Sequence, residues 1–151
     1  MIKTNFNPNK HKFYEPKFME KYKGQLPIIT RSSWELNFCR WCDYNESVIE
    51  WNSESLAIHY FDPISQKTRR YYPDFTIKIR NSDGNTKIYI VEVKPYNETK
   101  PPVKKGRKSK KTVLVEQKTY KRNLSKWIAA DNYCKKYGYH FKIITEKDLF
   151  S

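Results

Sequence analysis

Across residues 75–79 apolar and polar positions alternate strictly, and across residues 88–94 they merge into a nearly continuous apolar run. Strict alternation, and a short apolar run bounded by turn residues, both read as β-strands. Asn81-Ser82-Asp83-Gly84-Asn85 between them is turn chemistry, so the two segments form a hairpin. Residues 47–51 and 56–61 also read as strands, and Asp62-Pro63 leads from the second into a basic turn with Lys67, Arg69 and Arg70. Helical spacing marks two longer elements. One starts near Ser32 or Ser33 and runs to about Tyr44, with Glu35, Phe38, Cys39 and Cys42 on one face. The other spans about 115–137, where Tyr120, Leu124, Trp127, Ile128, Cys134 and Tyr137 keep helical intervals and Gly138 is a fitting stop. A strand at 139–144 and a short terminal helix capped by Thr145 to Asp148 complete the pattern.

Three charges interrupt the hairpin where apolar residues belong: Asp74, Glu92 and Lys94. A turn centred on Asp83 sets Asp74 directly opposite Glu92, and the two-residue repeat brings Lys94 to the same face. Facing Cβ atoms in an antiparallel pair lie about 4.5–5.5 Å apart, and like charges at that distance repel unless a cation lies between them. A divalent ion fits, and a few hard oxygen ligands with open positions suit Mg²⁺ or Mn²⁺ rather than zinc. The competing reading is an ordinary Glu92–Lys94 ion pair on an edge strand. The apolar flanks Val91 and Val93 oppose it by marking a central strand, where such charges are costly. A one-residue slip in register would separate Asp74 from Glu92.

Composition narrows the class of partner. The chain has 151 residues, enough for one core, and 30 Lys and Arg against 16 Asp and Glu leave a formal charge of +14. That excess is the footprint of a protein that holds phosphate. Twelve Tyr, eight Phe and four Trp supply the core, with some available to stack on bases. No apolar run is long enough to span a membrane and none near the start reads as a signal peptide, so the chain is expected to stay where it is made. Three cysteines argue for a reducing compartment rather than a disulfide framework. Cys39 and Cys42 form a CxxC, but a zinc site would need Cys134 or the scattered His11, His59 and His140 to complete it, so the cysteines read better as core residues. His59 and Asp62 are left outside the site.

Residues 100–111 hold seven basic residues and no acid: Lys100, Lys104, Lys105, Arg107, Lys108, Lys110 and Lys111. Such a segment extends by self-repulsion into a loop, read here as about 97–113. It follows Lys94 by six residues, near enough to lie on backbone phosphates, with Lys118, Lys121 and Arg122 on the next helix as further contacts. Residues 1–29, basic, aromatic and broken by Pro8, Pro16 and Pro27, read as an irregular arm that wraps the domain or reaches DNA.

These residues resemble a known family. Pro73-Asp74, Glu92-Val93-Lys94 and an upstream Glu35 are similar to the PD-(D/E)xK nuclease superfamily. Ser33-Trp34-Glu35-Leu36, Tyr72-Pro73-Asp74-Phe75, Val91-Glu92-Val93-Lys94-Pro95 and the run 143–149 resemble the TnsA-like endonuclease N-terminal domain. Length and basicity bring the chain nearest to the head-completion nucleases of contractile-tailed bacteriophages. The resemblance implies an α/β fold over 30–151: a single restriction-endonuclease-like domain with a central mixed β-sheet flanked by helices. It also implies Glu35, Asp74, Glu92 and the backbone C=O of Val93 as ligands of Mg²⁺ or Mn²⁺, with Lys94 completing a catalytic set. For Glu35 the alternative is a capping box, Ser32-Ser33-Trp34-Glu35, in which it satisfies the Ser32 N–H; the family's helix-borne glutamate favours the metal. Gln117 and Tyr120 stand one residue too close for the motif of RecB-like relatives.

The expected activity is metal-dependent hydrolysis of DNA phosphodiester bonds in phage head completion, with double-stranded DNA and portal or neck proteins as partners. The host cytoplasm or the virion is the expected location. The alternatives are a transposon end-cleaving subunit and a basic DNA-binding neck protein that keeps the fold without the chemistry.

Overall fold

The computed structural model describes residues 11–149. Residues 1–10, which include Pro8 and the start of the arm, and residues 150–151 lie outside the described part. In chain order the elements are β1 (Lys12–Tyr14), a 3-10 turn (Met19–Lys21), β2 (Ile28–Thr30), α1 (Ser33–Tyr44), β3 (Val48–Ser53), β4 (Ile58–Asp62), β5 (Lys67–Tyr71), β6 (Phe75–Arg80) and β7 (Thr86–Val93). A second 3-10 turn (Tyr96–Thr99), α2 (Lys110–Tyr137), β8 (His140–Ile144) and α3 (Glu146–Leu149) follow.

The central sheet has the order β3-β6-β7-β8, antiparallel except for the parallel pair β7–β8. A parallel neighbour needs a crossover, and α2 supplies it. One core joins α1, through Phe38, Cys39 and Cys42, to Val48, Trp51, Phe75, Ile77, Val91 and Val93 of the sheet. A second packs Trp127 and Ala130 of α2 against Ile58, Tyr60 and Tyr71 of the β4–β5 hairpin, with Phe141 and Ile143 of β8 alongside. The result is the mixed sheet flanked by helices that the sequence suggests.

Three local expectations change. Lys67, Arg69 and Arg70 lie in β5, paired with β4, and the turn is confined to residues 63–66. Four of the five β5 residues are exposed, so no alternation marks the strand in the sequence. The second helix begins at Lys110, because Ser109 caps it by accepting the Thr112 N–H over 3.1 Å; Lys110 and Lys111 are therefore helical and the basic loop is shorter. The buried stripe of α2 is also narrower than the apolar spacing implies. Val113, Asn123, Trp127, Ala130 and Cys134 turn inward, while Leu124, Tyr137 and Ile128, the last 61 % exposed, face solvent.

The described part of the N-terminal segment is pinned to α1. Buried Asp43 accepts hydrogen bonds from the Tyr14 hydroxyl at 2.6 Å and the Lys17 and Phe18 N–H groups at 2.7 and 3.0 Å. Lys21 Nζ donates to the carbonyls of Cys42, Asp43 and Asn45 at the end of the helix, each at 2.8 Å. A lysine there satisfies carbonyls that have no intrahelical partner.

Candidate active site

Phe75 faces Val91 and Thr76 faces Ile90, the register of a turn centred on Asp83. One residue further in that register, Asp74 meets Glu92. Pro73, fully buried, precedes it and holds the chain extended at the entrance to β6. The backbone C=O of Asp74 accepts the Glu54 N–H at 3.0 Å, and its Oδ2 accepts the Val93 N–H at 2.7 Å. The carboxylate is thus fixed at the C-terminal end of β7.

Glu35 reaches the same place from the first turn of α1. Ser32 Oγ caps that helix by accepting the Glu35 N–H at 3.1 Å, but the return bond differs from a capping box: the Glu35 carboxylate accepts the N–H of Arg31, not of Ser32. Glu54, just past β3, is the residue that sequence reasoning missed. It is 8 % exposed, has a left-handed φ of 49° that a non-glycine residue rarely adopts, and pairs with the Arg31 guanidinium. Carboxylate oxygens of Glu35, Glu54 and Asp74 all lie within 4.8 Å of one another.

Glu92 stands beside this trio. Its Oε2 accepts the buried Tyr71 hydroxyl at 2.7 Å, and its Oε1 lies 3.7 Å from Lys94 Nζ. Lys94 is anchored in turn by its N–H, which donates to the Ile144 carbonyl at 2.9 Å. Burial, then repulsion from Glu92 and Glu35, pushes the Asp74 pKa well above the usual carboxylate range, against the Val93 N–H and Lys94. Burial also raises the pKa of Glu92, opposed by Lys94, the Tyr71 hydroxyl and Lys126. Lys126, on α2, is a second residue not foreseen. Its Nζ lies 5.8 and 5.7 Å from the ring centres of Tyr60 and Tyr71, and burial lowers its pKa.

Residues 45–146 match the family described as TnsA-like endonuclease N terminal. The chain is also 39 % identical over 138 residues to the head completion nuclease of Enterobacteria phage T4, covering 89 % of each chain. The chain belongs to the TnsA-like endonuclease family. The family match contains Asp74, Glu92, Lys94 and Glu54, whereas Glu35 lies ahead of it.

In this TnsA-like domain the basic residues fall into two groups. Lys104, Lys105, Arg107, Lys110, Lys111, Lys118 and Lys121 are exposed. Others have partners: Lys100 Nζ lies 5.3 Å from the Tyr96 ring centre, and Lys108 pairs with Glu116 at 2.9 Å. Arg122 serves the fold, its Nε donating to Asp62 Oδ2 at 2.9 Å. Asp62 has no exposure and also takes the Ser65 hydroxyl and the Ile64 N–H. Burial works to raise its pKa, but these donors outweigh it and hold the carboxyl at about 2. His59 is exposed on β4, and Gln117 is exposed on α2.

Because β8 runs parallel to β7, α2 must return from the C-terminal end of β7 to its start. Lys126 stands at the level of Glu92, so the sixteen residues from Lys110 onward carry the helix roughly 24 Å beyond the carboxylates at 1.5 Å per residue. The first turns of α2 therefore project past the C-terminal end of β7, the end that carries the carboxylates.

Proposed function

We propose that this chain is a divalent-metal-dependent DNA endonuclease that hydrolyses phosphodiester bonds, acting in phage head completion and on DNA ends after packaging. The observation that carries the reading is the convergence of Glu35, Glu54 and Asp74, with oxygens within 4.8 Å, beside the Glu92–Lys94 pair. The donors fit a hard cation. Oxygens around one octahedral Mg²⁺ lie about 3 Å apart when adjacent and about 4.2 Å when opposite, so a small movement of side chains closes the set. Asp74 and Glu35 would hold the ion, with Glu54 as a third carboxylate and Glu92 and the Val93 carbonyl adjoining. When bound, Mg²⁺ or Mn²⁺ supplies charge to a phosphate oxygen and acidifies an attacking water.

The chain's own groups do the rest. Lys94, held by Glu92, orients or deprotonates the water and offsets charge building on phosphorus. Tyr71 and Lys126 fix Glu92 and thereby Lys94. Exposed lysines of the loop and α2 bind phosphates of double-stranded DNA without regard to sequence. Portal or neck proteins are the proposed protein partners, and the host cytoplasm or the virion the proposed location. The similarity to the head completion nuclease of phage T4 supports this setting.

The test is incubation of supercoiled plasmid and linear duplex with the purified protein and Mg²⁺, Mn²⁺ or EDTA. Nicked or shortened DNA with either metal and intact DNA in EDTA is expected. Binding without cutting under every condition would return the chain to a DNA-binding neck protein.

A further inference from the structure

Arg31 sits between two fixed points of the backbone. Thr30 before it pairs with Lys12 across β1–β2, its hydroxyl donating to the Lys12 carbonyl at 3.1 Å, and Ser32 after it caps α1. The Arg31 N–H donates to the Glu35 carboxylate, and its guanidinium donates through Nη1 to the carboxylate of Glu54. Arg31 thus touches two members of the trio Glu35, Glu54 and Asp74, whose oxygens lie within 4.8 Å of one another. Among the described residues it supplies the ion pair to that trio, and its side chain is 41 % exposed where that of Glu54 is 9 %. A buried acid paired with a half-open arginine leaves the outer edge of the guanidinium facing solvent beside the site. Glu54 engages one side of a planar fork of N–H donors, and that fork matches a phosphate as well as a carboxylate.

We propose that Arg31 is a substrate-binding residue: held by Glu54 beside the carboxylates, its guanidinium binds the DNA phosphate that the site cleaves. The assignment rests on the proposed nuclease reading and names a group that takes the substrate there. A phosphate approaching the trio meets like charge, and cations at the same place turn that repulsion into attraction. Arg31 differs in this from the other basic groups. Lys94 is a compact point charge engaged by Glu92 at 3.7 Å, whereas the planar fork of Arg31 can hold two oxygens of one phosphate and fix their orientation. The exposed lysines of the loop and α2 meet phosphates along the duplex; Arg31 meets the one at the carboxylates. Its backbone is anchored by the β1–β2 pairing and the Ser32 cap, so the fork is in place before DNA arrives and little ordering is left to binding. Its contribution is largest once a divalent ion offsets the carboxylates, because without one they repel the phosphate that Arg31 would take.

The experiment reads binding rather than cutting. A labelled duplex is titrated by fluorescence anisotropy, in Mn²⁺ and in EDTA, with the full chain carrying Lys94→Ala to keep the DNA whole, and with Arg31→Gln or Arg31→Lys added. Mn²⁺ affinity of the same chains without DNA is measured by calorimetry. Mn²⁺ is expected to tighten duplex binding by the Lys94→Ala chain. Adding Arg31→Gln is expected to weaken binding in Mn²⁺ about 10- to 100-fold, the scale of a charge-assisted contact, with a smaller loss in EDTA. The slope of log affinity against log salt should flatten by about 0.9, one phosphate contact. Mn²⁺ affinity without DNA should stay the same or rise, since a neighbouring cation is gone. Arg31→Lys should keep the slope and recover part of the affinity; it decides if Arg31→Gln fails to fold by circular dichroism. An arginine that merely steadies Glu54 gives the reverse, weaker Mn²⁺ affinity with an unchanged slope, and that result overturns the proposal. Binding tightened by Mn²⁺ and left intact by both substitutions overturns it alone, whereas Mn²⁺ that tightens binding in no chain overturns it together with the nuclease reading.

Discussion

The Tyr71 hydroxyl donates to Glu92 Oε2 across 2.7 Å, and the other oxygen of the same carboxylate faces Lys94 Nζ at 3.7 Å. Lys94 is therefore positioned through a carboxylate that is itself held from the β4–β5 hairpin. Tyr71→Phe removes the donor and keeps the ring, leaving a buried acceptor short of a partner, which typically destabilises by about 1–3 kcal/mol. The expected result is a lower urea midpoint together with a roughly 10- to 100-fold loss of cleavage, the usual effect of removing a residue that orients a site. A variant as active as wild type would sever the link between Tyr71 and Lys94.

Stability should depend on pH in a direction set by the site. Asp74 and Glu92 have folded pKa values raised above their ordinary 3.8 and 4.5, by burial first and then by neighbouring charge. Their contribution is fully present below those ordinary values and is lost as pH rises through the folded ones. Asp62 has the opposite sign: its pKa near 2 gives stability above 3.8 that disappears on acidification toward 2. In EDTA the melting temperature is thus expected to fall from about pH 5 toward neutrality. Mn²⁺ should raise it, more at neutral than at acidic pH, because ligands must lose protons to bind; at one hundred times Kd the gain is about 2.7 kcal/mol. Thermal unfolding across pH with and without Mn²⁺ checks this, and a metal effect that does not grow with pH contradicts it.

Glu54→Gln tests whether the third carboxylate belongs to the metal site. The amide keeps the shape but not the charge, and affinity for Mn²⁺ measured by calorimetry is expected to drop about 10- to 100-fold. Unchanged affinity would confine Glu54 to its pair with Arg31.

How far the sequence reveals this arrangement depends on how local each cause is. Asp74 and Glu92 are legible because the alternation of β6, the apolar run of β7 and one turn fix their register, and the structure keeps it. Glu35 and Cys39 are legible because 3.6-residue spacing defines a face. Glu54 carries no such mark: a single acid in a bend after β3, it meets Asp74 only through β3–β6 pairing far along the chain. Lys126 looks like any helical lysine until burial against Tyr60 and Tyr71 distinguishes it. Strand β5 is hidden because its exposed Lys67 to Arg70 follow the composition of a loop.

Phosphate contacts by the loop should appear in salt dependence. Replacing Lys104, Lys105 and Arg107 by Ala is expected to weaken duplex binding and flatten the slope of log affinity against log salt by about 0.9 for each lost contact. Anisotropy in EDTA over a range of salt reads the slope directly. A wild-type slope in the triple variant would place the phosphates elsewhere.

The most direct measurement is cleavage of duplex DNA by wild type, Asp74→Asn and Lys94→Ala, with Mg²⁺ or Mn²⁺ and with EDTA, alongside binding of the same DNA in EDTA. Metal-dependent cutting is expected in wild type. Both variants should lose it by about 10²- to 10⁴-fold, the range for groups that manage protons or charge at the reacting centre, while still binding DNA. Full cleavage by Asp74→Asn, or a wild type that binds but never cuts with either metal, would contradict the account.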